Sequence, residues 1–208
     1  MKVVPDPLGS GLKVLEYAIA DSDRPYSEAT NPRGDVESPS FWVPGSDAYV
    51  SEPTLIPVGF PLVNKGWWMV WELYGKPFGG SPPTGLYLWD VGGSNHFILQ
   101  RQGKEVLWTG PALDGRWHIP IEHVHFATDG SAFIELWYDG VQQKFSNGLT
   151  KISYVNLVAG VNWDGTDANF LDINSYREAG AFPGTWALDH AAPTVAPSLA
   201  VAQSTPHP

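Results

Sequence analysis

Short apolar segments of strand length, separated by Gly, Pro, Asn and Asp, run through most of this sequence. We find no segment with the periodicity of an amphipathic helix. The segment WWMVWELY (67–74) is apolar at both odd and even positions, which predicts a central strand buried on both faces. Asp139-Gly140 predicts a type I′ hairpin turn, and Gln102-Gly103 predicts a second hairpin. About ten strands without helices predict an all-β fold, a two-sheet antiparallel β-sandwich.

A change of composition near residue 190 divides the chain. Residues 1–190 contain the strand-like segments and are long enough for one domain with a sizeable core. Residues 191–208 are rich in Pro, Ala and Ser and show no alternation of apolar and polar residues. We therefore predict one β-sandwich followed by an extended tail. The tail is expected to stay outside the sandwich of its own chain, and to be ordered only where a neighbouring chain or a partner holds it.

The charge and the cysteine content exclude several functions. With 12 Lys and Arg against 22 Asp and Glu, the formal net charge is −10, which disfavours nucleic acid binding. Because the chain has no cysteine, it has no disulfide, no zinc–thiolate site and no cysteine nucleophile. No apolar run approaches membrane-spanning length, and the first residues lack the apolar core of a signal peptide. We expect an extracellular or virion-surface protein whose route of export stays open.

Two histidines flank a valine in IEHVHFATDG (121–130), and in a strand their side chains share one face. The apolar residues stand at odd positions up to Ile121 and at even positions after it, which predicts a β-bulge near Glu122. The bulge would leave His123 and His125 solvent-accessible. It would also place four residues in the core: Val124, Phe126, Ile134 and Leu136. The histidine pair is open to three interpretations, which are a metal site without its third ligand, a glycan contact, or surface histidines with no special task.

Three segments, spread along the chain in order, resemble strands of the concanavalin A-like jelly rolls of polysaccharide lyases, especially the heparin lyase I-like and alginate lyase families. NPRGDVES (31–38) resembles their Arg-x-Glu-Leu strand, and NFLDINSYRE (169–178) resembles their late strand ending in Tyr-Arg. Residues 115–143 resemble their tryptophan strand and the hairpin that follows it. The resemblance implies a jelly-roll fold and a polysaccharide ligand. It also implies that Arg33 binds a sugar carboxylate and that Tyr176 is the base and acid of a β-elimination.

The sequence departs from those families at positions that carry the chemistry. Where the lyases commonly have Gln-x-His, this chain has Glu72 and Tyr74, and where they commonly have a Lys before the late Tyr, it has Leu171-Asp172-Ile173. We therefore interpret the protein as a glycan-recognition or structural module with lyase ancestry, displayed on an extracellular assembly such as a phage virion. The alternative is an active lyase that cleaves a uronate-containing polysaccharide. The predicted glycan contacts are Glu72, Tyr74, His123, His125, Asn174 and Arg177.

An oxygen-rich segment, NWDGTDANFLD (162–172), is the candidate for a metal site. Calcium prefers carboxylate and amide oxygens, which Asn162, Asp164, Asp167, Asn169 and Asp172 would supply. The same residue types are also common in ordinary turns, because Asn, Asp and Gly suit turn dihedrals. We predict no other cofactor. A glycoside hydrolase is disfavoured, because the Glu-x-Asp-x-Glu strand of the laminarinase relatives does not occur in this chain.

Overall fold

A computed structural model describes residues 1–23, 31–38, 45–75, 82–127, 129–154 and 169–208. Within these ranges the chain consists of strands and one short helix. The first nine strands are β1 (Lys2–Pro5), β2 (Lys13–Ala20), β3 (Arg33–Glu37), β4 (Asp47–Ser51), β5 (Thr54–Leu55), β6 (Trp68–Gly75), β7 (Thr84–Val91), β8 (Ser94–Arg101) and β9 (Glu105–Ala112). The later elements are β10 (Trp117–His118), β11 (Pro120–His125), β12 (Phe133–Tyr138), β13 (Val141–Gln142), β14 (Ile152–Ser153), β15 (Asn169–Arg177), β16 (Thr185–His190), β17 (Thr194–Ala196) and α1 (Leu199–Ser204).

The described strands pair antiparallel and form three sheets. The front sheet has six strands in the order β3-β15-β6-β7-β8-β9. The back sheet has the order β13-β12-β11-β4-β17, with β14 paired to β12, and a five-stranded side sheet has the order β1-β2-β16-β5-β10. All three sheets contribute side chains to one hydrophobic core, for example Leu88 of the front sheet, Val124 of the back sheet and Tyr17 of the side sheet. The predicted all-β antiparallel sandwich is confirmed.

A β-bulge in the central strand β6 explains why that strand is apolar at both odd and even positions. The strand pairs with β15 on one side and with β7 on the other, and its register with β7 shifts between Met69 and Trp71. As a result, Val70 and Trp71 both join the core, whereas Met69 and Glu72 lie outside it, on the other face of the sheet. The prediction of a central strand buried on both faces is confirmed.

Both predicted hairpin turns are present. Asp139 and Gly140, between β12 and β13, have φ angles of 49° and 80°. Gln102 and Gly103, between β8 and β9, have φ angles of 54° and 62°. Positive φ at both central residues is the requirement of a type I′ turn, and this turn matches the right-handed twist of the two strands it joins.

The β-bulge predicted near Glu122 is absent. Strand β11 pairs with β12 and with β4 in unbroken register, so Ile121 and His123 share the outer face and Glu122 and Val124 share the inner face. The apparent switch of parity has two causes. Ile121 is buried on the outer face by the C-terminal segment, and Glu122 occupies a core position between the sheets, where its Oε1 accepts a hydrogen bond of 3.0 Å from the Thr84 hydroxyl. The four residues predicted for the core are nevertheless buried there: Val124, Phe126, Ile134 and Leu136.

The C-terminal segment joins the sandwich of its own chain, contrary to the expectation of an extended tail. Strand β17 pairs with β4 at the edge of the back sheet, where Pro193 and Pro197 flank it without interrupting a ladder. Helix α1 follows, and the Ser198 hydroxyl caps its N-terminus by accepting a hydrogen bond from the Val201 amide. Ala196 and Ala202 are buried against Ile121. In the described part of the chain, no helix has the length and apolar character needed to cross a membrane.

Candidate functional site

The outer face of the front sheet, opposite the core, carries polar and aromatic side chains. In β7, Leu86 and Leu88 are fully buried in the core, so the alternate residues Tyr87 and Trp89 point to the outer face. Across the neighbouring strands, Met69 of β6 is the registered partner of Tyr87, and both remain outside the core cluster. Arg33 of β3, Glu72 of β6 and Tyr176 of β15 lie on this face as well.

Arg33 and Tyr176 are brought together at one side of this face. They are registered partners on β3 and β15, and the guanidinium carbon of Arg33 lies 4.9 Å from the centre of the Tyr176 ring. Arg33 forms ion pairs with Asp35 and with Asp172, the latter at 3.3 Å. The Arg33 and Asp35 side chains keep 25% and 18% of their surface exposed, so a ligand can reach both. The guanidinium is thus already paired with two acidic groups of its own chain.

A buried pair of carboxyl groups, Glu72 and Asp172, lies beside this arginine. The two residues are registered partners on β6 and β15, and both are almost completely buried. Burial raises the pKa of Glu72, against the opposing effect of Arg33 and of a hydrogen bond with Asp172. Burial also raises the pKa of Asp172, and the negative charge of Glu72 adds to this. The pair therefore retains a proton near neutral pH, because two adjacent buried carboxylates cannot both ionise at low cost.

Asn174 extends this polar cluster into the sheet. It is fully buried, and its Nδ2 lies 3.5 Å from Oε1 of Glu72. The register of β15 with β6 shifts between Ile173 and Tyr176, and the Asn174 carbonyl accepts a hydrogen bond of 3.3 Å from Nε2 of the buried His190. Among the described residues, Oδ1 of Asp172 and Oδ1 of Asn174 have no hydrogen-bond partner. Both oxygens are buried inside the cluster.

Three of the predicted glycan contacts lie away from this face. Arg177 points to the opposite side of β15, where it is fully buried, lies over the Trp68 ring at 5.1 Å and donates hydrogen bonds to the carbonyls of Phe182 and Gly184. His123 and His125 lie on the outer face of the back sheet, on the other side of the sandwich from Arg33. The side chain of Tyr74 is outside the described residues.

The histidine pair belongs to a small network with carboxylates. Nδ1 of His123 lies 2.7 Å from Glu135 and its Nε2 lies 2.9 Å from Asp47, and its ring stacks on Tyr49 at 4.1 Å. The His125 Nδ1 lies 3.1 Å from the same Asp47 oxygen. His123 is only 7% exposed, less than predicted, because these neighbours cover it, whereas His125 is partly exposed.

No group of metal-ligating side chains with the right geometry is found among the described residues, this cluster included. The proposed calcium ligands Asn162, Asp164 and Asp167 lie outside the described residues, as does the side chain of Asn169. Asp172, the fifth candidate, belongs to the acidic pair with Glu72. The assignment of calcium to residues 162–172 therefore stays a prediction.

Trp89 and His96 on the same face were not among the predicted contacts. Trp89 is 41% exposed, and Trp67 and His96 are partly exposed. Trp67 contacts Tyr176 edge to face, with ring centres 4.6 Å apart. The alternation in GLYLWDV (85–91) carries the signal for Trp89, because two leucines at even positions leave the odd positions on the outer face.

Solved structures with a similar fold are polysaccharide lyases. Endo-β-1,4-glucuronan lyase from the fungus Trichoderma reesei superposes with a TM-score of 0.71 at 12% identity, over 97% of this chain and 88% of that one. The alginate lyase AlgAT5 of polysaccharide lyase family 7 gives a TM-score of 0.62 at 11% identity, over 95% and 82% of the two chains. A family 7 alginate lyase, A1-II′, in complex with product gives 0.61 at 13% identity, over 94% and 83%.

Sequence comparison adds no closer relative. No protein-family profile matches the chain, and no curated protein matches it significantly. At 11–13% identity, the structural likeness establishes the fold and leaves the chemistry of the site to be argued from its own residues. The chain therefore has the jelly-roll β-sandwich fold of the polysaccharide lyases, as the order of its sequence motifs predicts.

Proposed function

We propose that the outer face of the front sheet binds a neutral or weakly charged polysaccharide and does not cleave it by β-elimination. The observation that carries the proposal is that Arg33 pairs with Asp35 and also contacts the Glu72–Asp172 pair, which shares one proton and keeps one negative charge. The fold supports a polysaccharide ligand, because the similar structures are lyases that act on glucuronan or alginate. The composition of the site argues against a uronate polymer as that ligand.

β-Elimination requires a group that neutralises the carboxylate of the uronate, a base that removes the adjacent proton, and an acid that protonates the leaving oxygen. Arg33 lies over the Tyr176 ring, but its charge is already matched by the acidic groups around it. Glu72 stands where the lyases commonly have an amide, and it brings a further acidic group. A uronate bound beside Tyr176 would therefore meet more negative than positive charge, and its enolate-like transition state would be destabilised.

The same groups suit the hydroxyls of an uncharged sugar. A carboxylate accepts hydrogen bonds at both oxygens, and charge-assisted hydrogen bonds are about twice as strong as neutral ones. Asp35 and Arg33 are partly exposed and can bind hydroxyl groups directly. The buried Glu72–Asp172 pair holds Arg33 in place through the contact of Asp172 with the guanidinium.

An active polysaccharide lyase is the second candidate. It is favoured by one observation, the contact of Arg33 with the Tyr176 ring, since a tyrosine next to a cation has the residue types of an elimination site. Asn31 supports that arrangement, because its Nδ2 donates a hydrogen bond of 3.4 Å to the Tyr176 hydroxyl.

Affinity electrophoresis tests the binding proposal. The protein is run in native gels that contain either a neutral β-linked polysaccharide or a uronate polymer such as glucuronan or alginate. We expect retardation in the neutral gels only, and we expect the variant Asp35→Ala to lose it. The exposed carboxylate variant Glu105→Ala on β9 is the matched control and should be retarded like the wild type. Retardation only in the uronate gels would contradict the proposal and favour the lyase.

Display on an extracellular assembly such as a phage virion is the finer part of the proposed function. Its support is the fold alone, because a similar structure is a lyase that acts on the polysaccharide glucuronan. Immunodetection in purified particles tests it. A protein found only in the particle-free fraction would contradict it.

A further inference from the structure

A line of partly exposed aromatic side chains crosses the outer face of the front sheet. Tyr176 of β15 contacts Trp67, which directly precedes β6. Trp68 is the registered partner of Leu88, so the antiparallel ladder places Trp67 opposite Trp89 of β7. Trp89 is in turn the registered partner of His96 of β8. We call these four residues, Tyr176, Trp67, Trp89 and His96, the aromatic strip.

The aromatic strip differs from its surroundings in exposure. The adjacent row on the same face, formed by Met69, Tyr87 and Ile98, is buried to 6% exposure or less. The strip residues all reach solvent, and Trp89 exposes 41% of its surface. A partly exposed tryptophan is well suited to binding, since a large rigid aromatic ring supplies much contact area at a low cost in conformational entropy.

The dimensions of the strip suit an extended chain. Neighbouring strands lie about 4.8 Å apart, so the four strands from β15 to β8 span about 14 Å, and Arg33 on β3 extends this to about 19 Å. From Trp67 to His96 the strip runs perpendicular to the strands. On β15 it steps along the strand to Tyr176, the registered partner of Met69, where it meets Arg33 and the acidic pair. One ligand can touch the charged end and the aromatic end together only if it has several consecutive units.

We infer that the aromatic strip is the binding track of an extended chain of uncharged pyranose sugars with mainly equatorial hydroxyls, in which Trp89 stacks on a ring distal to Arg33. This inference rests on the proposed function and names the residues and the ligand chemistry of the same site. A pyranose with equatorial hydroxyls presents C–H bonds on both ring faces, which pack on an aromatic ring, and directs its hydroxyls outward to hydrogen-bonding groups. Asp35 and Arg33 supply such groups at one end, and the carboxylates there disfavour a charged sugar.

A proline-rich peptide is the other extended ligand that packs on aromatic side chains. The sugar is favoured by the polar end of the strip. A polyproline helix exposes carbonyl acceptors and few donors, whereas the carboxylates around Arg33 require donors, which sugar hydroxyls provide.

Titration calorimetry with hexose oligosaccharides tests the inference on the full-length protein. The probes are oligosaccharides of β-linked glucose, mannose and galactose, an oligomer of β-linked glucuronate, and a proline-rich peptide. We expect the wild type to bind at least one of the three uncharged oligosaccharides, and Trp89→Ala to lower that affinity about tenfold or more, which corresponds to about 1.4 kcal/mol. Trp89→Tyr, which keeps a flat ring, should stay within about threefold of the wild type. Val141→Ala removes an exposed apolar side chain from the back sheet and should not change the affinity.

These outcomes distinguish a failure of the proposed function from a failure of the inference about the aromatic strip. If the wild type binds none of the sugars, the proposed function is overturned together with the inference. If it binds an uncharged sugar and Trp89→Ala binds equally well, the aromatic strip is refuted while the proposed function stands. Tighter binding of the glucuronate oligomer or of the peptide, lost in Trp89→Ala, would keep the strip but overturn its assigned ligand. Because Trp89 lies outside the core, melting curves should show that both Trp89 variants remain folded.

Discussion

Glu122 provides a quantitative test of how the front and back sheets pack together. The side chain is fully buried between them, Oε1 accepts the hydrogen bond from Thr84, and Oε2 has no hydrogen-bond partner among the described residues. Burial raises its pKa from the ordinary 4.5 to about 8, because the hydrogen bond from Thr84 offsets only part of the desolvation of the charged form. The folded protein therefore carries this carboxyl in its protonated form at neutral pH.

The raised pKa makes the free energy of unfolding fall as the pH rises. Between pH 4.5 and about 8 the unfolded chain has lost the Glu122 proton while the folded protein still holds it, so each step in pH favours the unfolded state. One pKa unit corresponds to about 1.4 kcal/mol, so the cost is about 1 kcal/mol at pH 5, about 3 kcal/mol at pH 7 and about 4 kcal/mol at pH 8. Glu122→Gln mimics the protonated acid and removes this dependence.

Urea unfolding of the wild type and of Glu122→Gln between pH 5 and pH 8 measures the effect. We expect the difference in unfolding free energy to grow by about 3 kcal/mol in favour of the variant over this range. Other groups titrate in both proteins and cancel in the difference. The exposed Glu105→Gln should differ from the wild type by an amount independent of pH. A difference between wild type and Glu122→Gln that does not change with pH would refute the burial of an acid between the sheets.

Three further predictions follow from the packing and the charges. Ala202→Asp should lower the free energy of unfolding by about 2 kcal/mol or more, because it buries a charge under the back sheet, while Ala200→Asp on the exposed side of α1 should change it little in urea unfolding. Arg177→Met should cost about 3 kcal/mol in the same assay, because it leaves the carbonyls of the buried residues Ile19 and Phe182 without this donor, and an unchanged midpoint would contradict this. Asp35→Asn should raise the affinity for a glucuronate oligomer about tenfold in calorimetry, since it frees the charge of Arg33, and an unchanged affinity would argue that Arg33 does not contact the ligand.

The alternation of apolar and polar residues made the strands predictable where one face of the sheet is buried and the other is exposed to solvent. It identified β12 and the hairpin at Asp139-Gly140, and Val124, Phe126, Ile134 and Leu136 belong to the core as expected. Alternation failed at Glu122, because burial of an acid inside and of Ile121 outside both invert the usual rule that apolar residues point inward. The inversion depends on the C-terminal segment, which lies far away in sequence.

The C-terminal segment was misjudged because its elements are too short to show a period. Strand β17 has three residues and α1 has six, and both are stabilised by contacts with the back sheet. Short helices are marginal without tertiary packing, so local sequence carries little of the signal.

The sequence predicted two of the residues of the candidate site. The motif resemblance selected Arg33 and Tyr176, and the structure makes them registered partners. It did not foresee the ion pair of Arg33 with Asp172, because ion pairs across strands depend on register. Arg177 lies next to Tyr176 in sequence but points to the opposite side, as neighbouring residues in a strand do.

The measurement that tests the central claim most directly is the ultraviolet absorbance of an unsaturated sugar product, followed over time with glucuronan, alginate and heparin as substrates. The account predicts no increase above that of the Tyr176→Phe variant with any of them, because Arg33 has no free charge for the uronate carboxylate. A steady increase with the wild type that disappears in Tyr176→Phe and in Arg33→Ala, with both variants folded by circular dichroism, would contradict the account and establish the lyase.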